Sequence, residues 1–168
     1  VDGSSSVVLD NTYKEYLFTF NNVHPASNRP GFEFNMSADS GSNYNVTKTT
    51  TFFRASQGEG AESPTLGYVT GDDQAQQTAN ARISPATSYN NDSGLSGYLH
   101  LFNPSSTTFV KHFISCNNVM YEDGSGTNYS WQSFVAGYGN TTSAVDAVQF
   151  NYASGNIDAG DICLYGIN

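Results

Sequence analysis

The chain has 168 residues, a length that fits one domain, with 12% charged residues, 14% aromatic residues and a formal net charge of −9. Its six Lys and Arg are dispersed singly (Lys14, Arg29, Lys48, Arg54, Arg82, Lys111), so no clustered cationic surface exists for nucleic acid or an anionic membrane. No stretch approaches the roughly 20 apolar residues that cross a bilayer, and no membrane insertion is expected.

In chain order, residues 1–12 read as an extended N-terminal arm. "EYLFTFNNV" then alternates, with Tyr16, Phe18 and Phe20 on one face and Leu17 and Thr19 on the other. "GFEFNMS" sets Phe32, Phe34 and Met36 against Glu33 and Asn35. Such period-2 patterns predict antiparallel strands with one buried face. Between this strand and "TKTTTFFRAS" lies "DSGSN". Its Asp39 and Asn43 loosely echo an oxygen-rich calcium loop, but the terminal bidentate Glu and the regular spacing of acids are absent, so a hairpin turn is the better reading.

From residue 57 to 92 the hydrophobicity is low and a long variable loop region is expected. Within it "DDQAQQTANAR" has helix-friendly Ala and Gln but no apolar stripe, which supports a short surface helix or a loop. "SGLSGYLHLFNP" resumes alternation, with Leu99 and Leu101 opposed to Tyr98, His100 and Phe102. "TFVKHFISCNNVMY", "YSWQSFVAGYG" and "AVDAVQFNYAS" follow, the last with Val148, Phe150 and Tyr152 on one face. The closing "GDICLYGI" is apolar on both faces, Ile162 and Leu164 on one and Cys163, Tyr165 and Ile167 on the other. That predicts a central strand covered on both sides, with Gly166 marking a close approach or bulge. Eight or nine short strands in a single domain, residues 1–168, predict an all-β, two-layer antiparallel sandwich of jelly-roll or other Greek-key type.

Chemistry is sparse. His24, His100 and His112 have no acid beside them at ligand spacing and read as sheet histidines, so no metal and no cofactor is expected. No serine stands in a nucleophile elbow, the acids sit singly in turns, and no catalytic residue is assigned. Cys116 and Cys163 read either as two reduced core thiols or as one bridge between adjacent strands. The remaining candidate is "YEDGSGTNYSWQSFVAGYGN", where Tyr129, Trp131 and Tyr138, with Asp123 and Asn128, suit ring stacking and hydrogen bonding to a glycan; the alternative is that these aromatics pack in the core.

The segments "YKEYLFTFNNVHP", "FNMSADSGSNY", "GYLHLFNPSSTT" and "AVDAVQFNYASGNIDAGDICLYGI" occur in that order and together resemble a module of virion structural and fibre proteins of tailed phages, especially aquatic, cyanophage-type ones. The residues that carry the resemblance are Tyr13, Tyr16, Val23, Pro25, Ser37 to Tyr44, Leu99 to Thr108, and above all Val148 to Ile167, the closing "F..sSGNi..G...LYGi" motif. Asp161, Ile162 and Cys163 depart from it, and residues 58–91 match nothing in it firmly. The resemblance implies a non-enzymatic protein at the virion surface, on the capsid or in an external fibre or spike. Its partners would be other virion proteins and copies of itself, a trimer by this likeness. A host-surface glycan is the alternative ligand.

Overall fold

The computed structural model describes residues 9–62 and 64–168, so most of the expected N-terminal arm lies outside the described residues. Eleven strands are present: β1 (Glu15–Pro25), β2 (Gly31–Ser37), β3 (Lys48–Gly58), β4 (Thr65–Tyr68), β5 (Gln74–Gln77), β6 (Ala81–Ala86), β7 (Leu95–Phe102), β8 (Lys111–Glu122), β9 (Asn128–Gly139), β10 (Ala147–Tyr152) and β11 (Ile157–Ile167). They form two antiparallel sheets packed as a sandwich. The large one has eight strands in the order β11-β1-β7-β8-β9-β3-β4, with β5 also paired to β3; the small one has the order β10-β2-β6.

The strand count exceeds the eight or nine expected because residues 57–92 carry β4, β5 and β6. The stretch weighed as a helix or loop, Asp72–Arg82, holds β5 and the start of β6 instead. Neither β4 nor β5 has an apolar alternation of its own. Both exist because β3 offers a free edge: β4 pairs with Phe53 to Ser56, and β5 with Lys48 and Thr50. The edge is secured by the Gln74 N–H donating to Thr50 Oγ1 at 2.9 Å.

The core lies between the sheets and is built by the alternation read from the sequence. Tyr16, Phe18 and Phe20 from β1, Leu99 and Leu101 from β7, and Phe113 from β8 meet Phe32, Phe34 and Met36 from β2 and Ile83 from β6, all buried. Several aromatic contacts are edge-on, with Phe34 4.7 Å from Phe113, Phe20 5.2 Å from Phe32 and Phe18 5.1 Å from Phe150, while Phe150 lies stacked on Phe32 at 6.0 Å, both arrangements that ring quadrupoles favour. Tyr152 crosses between the layers and donates its hydroxyl to the Val23 carbonyl at 2.9 Å.

The closing strand departs from expectation. Among the described residues β11 is the edge of the large sheet, paired only to β1, and most of its residues are exposed. Ile162 and Leu164 lean on the core rim beside Phe20 and Phe18, while Cys163 and Tyr165 point outward. The doubly apolar pattern therefore reflects one face against the core and one on the outside of the sandwich, and not a central position. Gly166 does mark a close approach, since a Cβ there would collide with the Tyr13 ring.

Candidate functional site

The β8–β9 hairpin brings four of the five aromatic-site candidates together. Its turn engages both oxygens of Glu122 and Oδ1 of Asp123. Glu122 accepts from the N–H groups of Gly126 (2.8 Å) and Gly124 (2.6 Å) and from Arg29 Nη2 (3.2 Å), bonds that hold its carboxyl below the usual range. Asp123 accepts from the Ser125 hydroxyl and N–H and from the Thr127 N–H, with the same effect. Behind the turn Trp131 is sandwiched. The Tyr121 ring stacks on it at 3.7 Å with a 15° interplanar angle, and the Arg54 guanidinium sits 3.8 Å from its ring centre. Two groups that close cannot share one face of the ring, so both faces of the indole are occupied by protein. Tyr129 lies tilted beside the stack, 6.5 Å from Trp131, and Asn128 Nδ2 donates to Glu59 Oε2 at 3.3 Å. The arrangement is a braced hairpin end, in which the stacking surface left for a sugar ring is that of Tyr129.

Tyr138 stands apart. Seven residues from Trp131 along β9 is about 23 Å at 3.3 Å per residue, and an odd separation places it on the opposite face of the sheet. There its ring centre lies 6.1 Å from that of His112, and its hydroxyl accepts from Gln76 Nε2 at 3.5 Å.

The other sequence candidates resolve into local chemistry. Asp39 accepts from the Ser37 hydroxyl (2.7 Å), the Asn43 N–H (2.9 Å) and the Asn43 carboxamide (2.7 Å), which closes the turn on itself. Among the described residues no group of three His, Cys, Asp or Glu could hold a metal ion. His100 has an acid neighbour that linear spacing concealed: Glu15, from the paired strand β1, lies 2.9 Å from its Nε2 but off hydrogen-bond alignment. Cys116 and Cys163 are free thiols. Strand pairing places them in one row with Thr19 and Tyr98 between them, three strand spacings or about 14 Å apart, out of reach of a bridge.

That row leads to a surface the sequence did not disclose. Across the outer face of the large sheet, Cys163, Thr19, Tyr98, Cys116, Phe134, Phe53 and Tyr68 stand side by side on seven successive strands. The adjacent row is Tyr165, Leu17, His100, Ile114, Ala136 and Thr51. Neither row contains Asp, Glu, Lys or Arg. Phe53, Tyr68, Tyr98, Ile114 and Tyr165 are between 40% and 54% exposed, and Phe53 stacks on Phe134 at 5.0 Å. Six strand gaps by two rows make an apolar band of about 400 Å², and flanking polar rows (Asn21, Ser96, Asn118 and Gln132 on one side, Glu15, Tyr138 and Thr49 on the other) extend it to about 800 Å².

Comparison with protein-family models, with curated proteins and with solved structures finds no match to this chain.

Proposed function

We propose that the chain is a non-enzymatic structural module of a phage virion, displayed at the particle surface, that assembles with copies of itself and with other virion proteins through the outer face of its large sheet. The observation that carries this reading is the uncharged aromatic band. A patch of that size on a soluble monomer is commonly functional. With its polar rows it has the anatomy and the extent, about 800 Å² per partner, of a standard protein–protein interface. The likeness of the closing motif to virion modules supplies the setting, and the net charge of −9 keeps the remaining surface soluble and self-repelling.

Light scattering on the purified chain tests it. The expected result is a closed oligomer, a trimer by the motif likeness, which Ile114→Asp combined with Tyr98→Lys converts to a monomer that still melts cooperatively, because both side chains point away from the core, its melting temperature falling only by what assembly contributes. A wild-type monomer across the whole concentration series, or an oligomer indifferent to the double substitution, overturns the proposal.

A further inference from the structure

β1 bulges at Asn21–Asn22. Two successive residues point outward there, and the register slips against both β11 and β7. Asn22 takes a left-handed φ of 50° and Gly160 opposite it a φ of 96°. Bulges of this kind re-aim side chains and recur beside binding sites. Here the bulge opens a cleft of about 690 Å³, bounded by β11 at Asp158 to Gly160, by the loop Asn91 to Gly94, and by Asn118 and Met120 of β8. The volume falls within the range of small-molecule pockets.

Two side chains tie the walls, Ser96, whose hydroxyl accepts from the Asn22 N–H at 3.0 Å and donates to Asn22 Oδ1 at 3.3 Å, and His24. His24 Nδ1 lies 2.7 Å from Asp158 Oδ1 and Nε2 lies 3.1 Å from the Asn90 carbonyl. Both neighbours are acceptors, so the protonated ring satisfies both with its two N–H groups and the neutral ring only one of them. Burial pulls its pKa down, but the Asp158 and Asn90 oxygens outweigh burial and the net direction is upward.

What remains unspent in the cleft is a set of acceptor oxygens together with the Asn22 and Asn91 carboxamide groups. Asp158 keeps Oδ2, and Asp92 has both carboxylate oxygens. Asn118 commits its Nδ2 to Ser130 Oγ (2.9 Å) and the Trp131 carbonyl (3.2 Å), which leaves its Oδ1 free. Ser93, nine-tenths buried, belongs to the cleft wall, and its buried hydroxyl has no hydrogen-bond partner among the described residues. Buried hydroxyls are ordinarily satisfied, so an orphan of this kind points to a missing partner. A ligand that fits must bring several donors and no negative charge, since one carboxylate is uncompensated. It must also tolerate an apolar contact from Met120.

We infer that this cleft is a binding site for a neutral oligosaccharide, whose hydroxyls donate to Asp92, Asp158 and Asn118 and exchange hydrogen bonds with Ser93. The cleft shares Ser96 and Asn118 with the polar margin of the band, so a ligand there and a partner copy meet at that edge, and the site goes beyond the structural role proposed above.

The test is calorimetric titration of the full chain with neutral trisaccharides of gluco, galacto and manno configuration, with a sialylated trisaccharide and spermidine as anionic and cationic comparators. At least one neutral trisaccharide should bind saturably and the sialylated one should not. Ser93→Ala should weaken binding about tenfold, the scale of one lost hydrogen bond, while leaving the melting temperature unchanged because the hydroxyl makes no bond in the free protein. Asp92→Asn should weaken it comparably, and the monomeric Ile114→Asp, Tyr98→Lys protein should bind at least as tightly as the wild type does. No binding by any neutral trisaccharide, binding by spermidine alone, or binding indifferent to both cleft substitutions overturns the inference. Loss of oligomerisation with binding intact would instead bear only on the assembly proposal.

Discussion

Lys48 sits at the start of β3 with no exposed surface and, among the described residues, no ion-pair partner. Its ammonium donates to Asn35 Oδ1 at 2.6 Å and to the Val46 carbonyl at 2.8 Å, and burial lowers its pKa from 10.5 to about 8. A folded pKa below the unfolded one means that between those values the unfolded chain binds a proton the native chain lacks. Stability therefore rises with pH across that window and is flat with respect to this group below it. Over the part of the window from pH 7 to 9.5 the gain from this one lysine is about 2 kcal/mol. Lys111, also buried and held by the Phe109 and Thr141 carbonyls, has its pKa lowered too and adds in the same direction. The buried Tyr152 phenol is shifted upward and opposes both above pH 10, which is why the series stops short of that value. Urea denaturation at half-unit pH steps should show unfolding free energy climbing through this range. Lys48→Met should remove about 2 kcal/mol of the climb. It should also be close to neutral at pH 7, because Asn35 Oδ1 keeps the Met36 N–H (2.9 Å) and the desolvation cost of a buried cation is removed. A wild-type profile that is flat or falling from pH 7 to 9.5, or a Lys48→Met profile with the wild-type slope, refutes the reasoning.

Gly160→Ala places a Cβ into the Asn22 carbonyl oxygen and 2.6 Å from Val23 Cα at a φ of 96°, whereas Gly126→Ala has a similar φ of 93° with nothing within 4 Å. The first should cost about 3 kcal/mol in urea denaturation and the second about 1–2 kcal/mol, the difference being the backbone collision; equal costs would remove it. The His24 imidazolium should titrate above its ordinary value in an NMR pH series, since the Asp158 and Asn90 oxygens outweigh its burial. A raised folded pKa contributes stability that is fully present below the unfolded value and lost as pH rises through the folded one. Asp158→Asn should bring the midpoint down, and a wild-type midpoint at or below 6.5 would contradict the clamp.

The alternating strands were legible because their signal is a property of each strand alone. Tyr16, Phe18 and Phe20, or Phe32, Phe34 and Met36, declare a buried face whatever pairs with them. β4 and β5 were not legible, because they exist only through the backbone edge of β3 and bury almost no side chain. Ala81 and Ile83 of β6 are buried, but two apolar residues in a polar stretch fall below any periodic signal. The candidate site was half legible. Sequence proximity correctly gathers Asp123, Asn128, Tyr129 and Trp131 at one hairpin, yet it cannot reveal that Arg54, from a distant strand, closes the second face of the indole. Tyr138 was grouped with them by nearness in sequence, which along an extended strand becomes distance in space. The His24 cleft carried no local signal at all, since its walls come from β1, β8, β11 and the loop before β7 and meet only through register slips.

The misplacement of β11 bears on the proposed assembly. A strand with Ile162 and Leu164 on one face and Cys163, Tyr165 and Ile167 on the other is the pattern of an element covered on both sides. Within a single copy only the first face is covered, and incompletely, because β11 lies at the sheet edge where the three-stranded layer gives out. The second face is continuous with Leu17, Tyr98, Ile114, Phe134 and Phe53, so what looks like an error at one strand is a property of the whole outer surface. Among the described residues, eight strands against three leave much of the large sheet without a second layer, and its outer side without any. Burial of that outer side against another copy would give β11 the two covered faces that its sequence encodes. On this argument Tyr165→Asp, at the edge of the band, should weaken self-association while leaving the monomer's melting temperature unaltered. Ile162→Asp, on the inner face, should lower the melting temperature whether or not the chain is assembled. If both substitutions acted on folding alone, the outer face would be an ordinary solvent-facing surface, and the doubly apolar pattern of β11 would have no part in assembly.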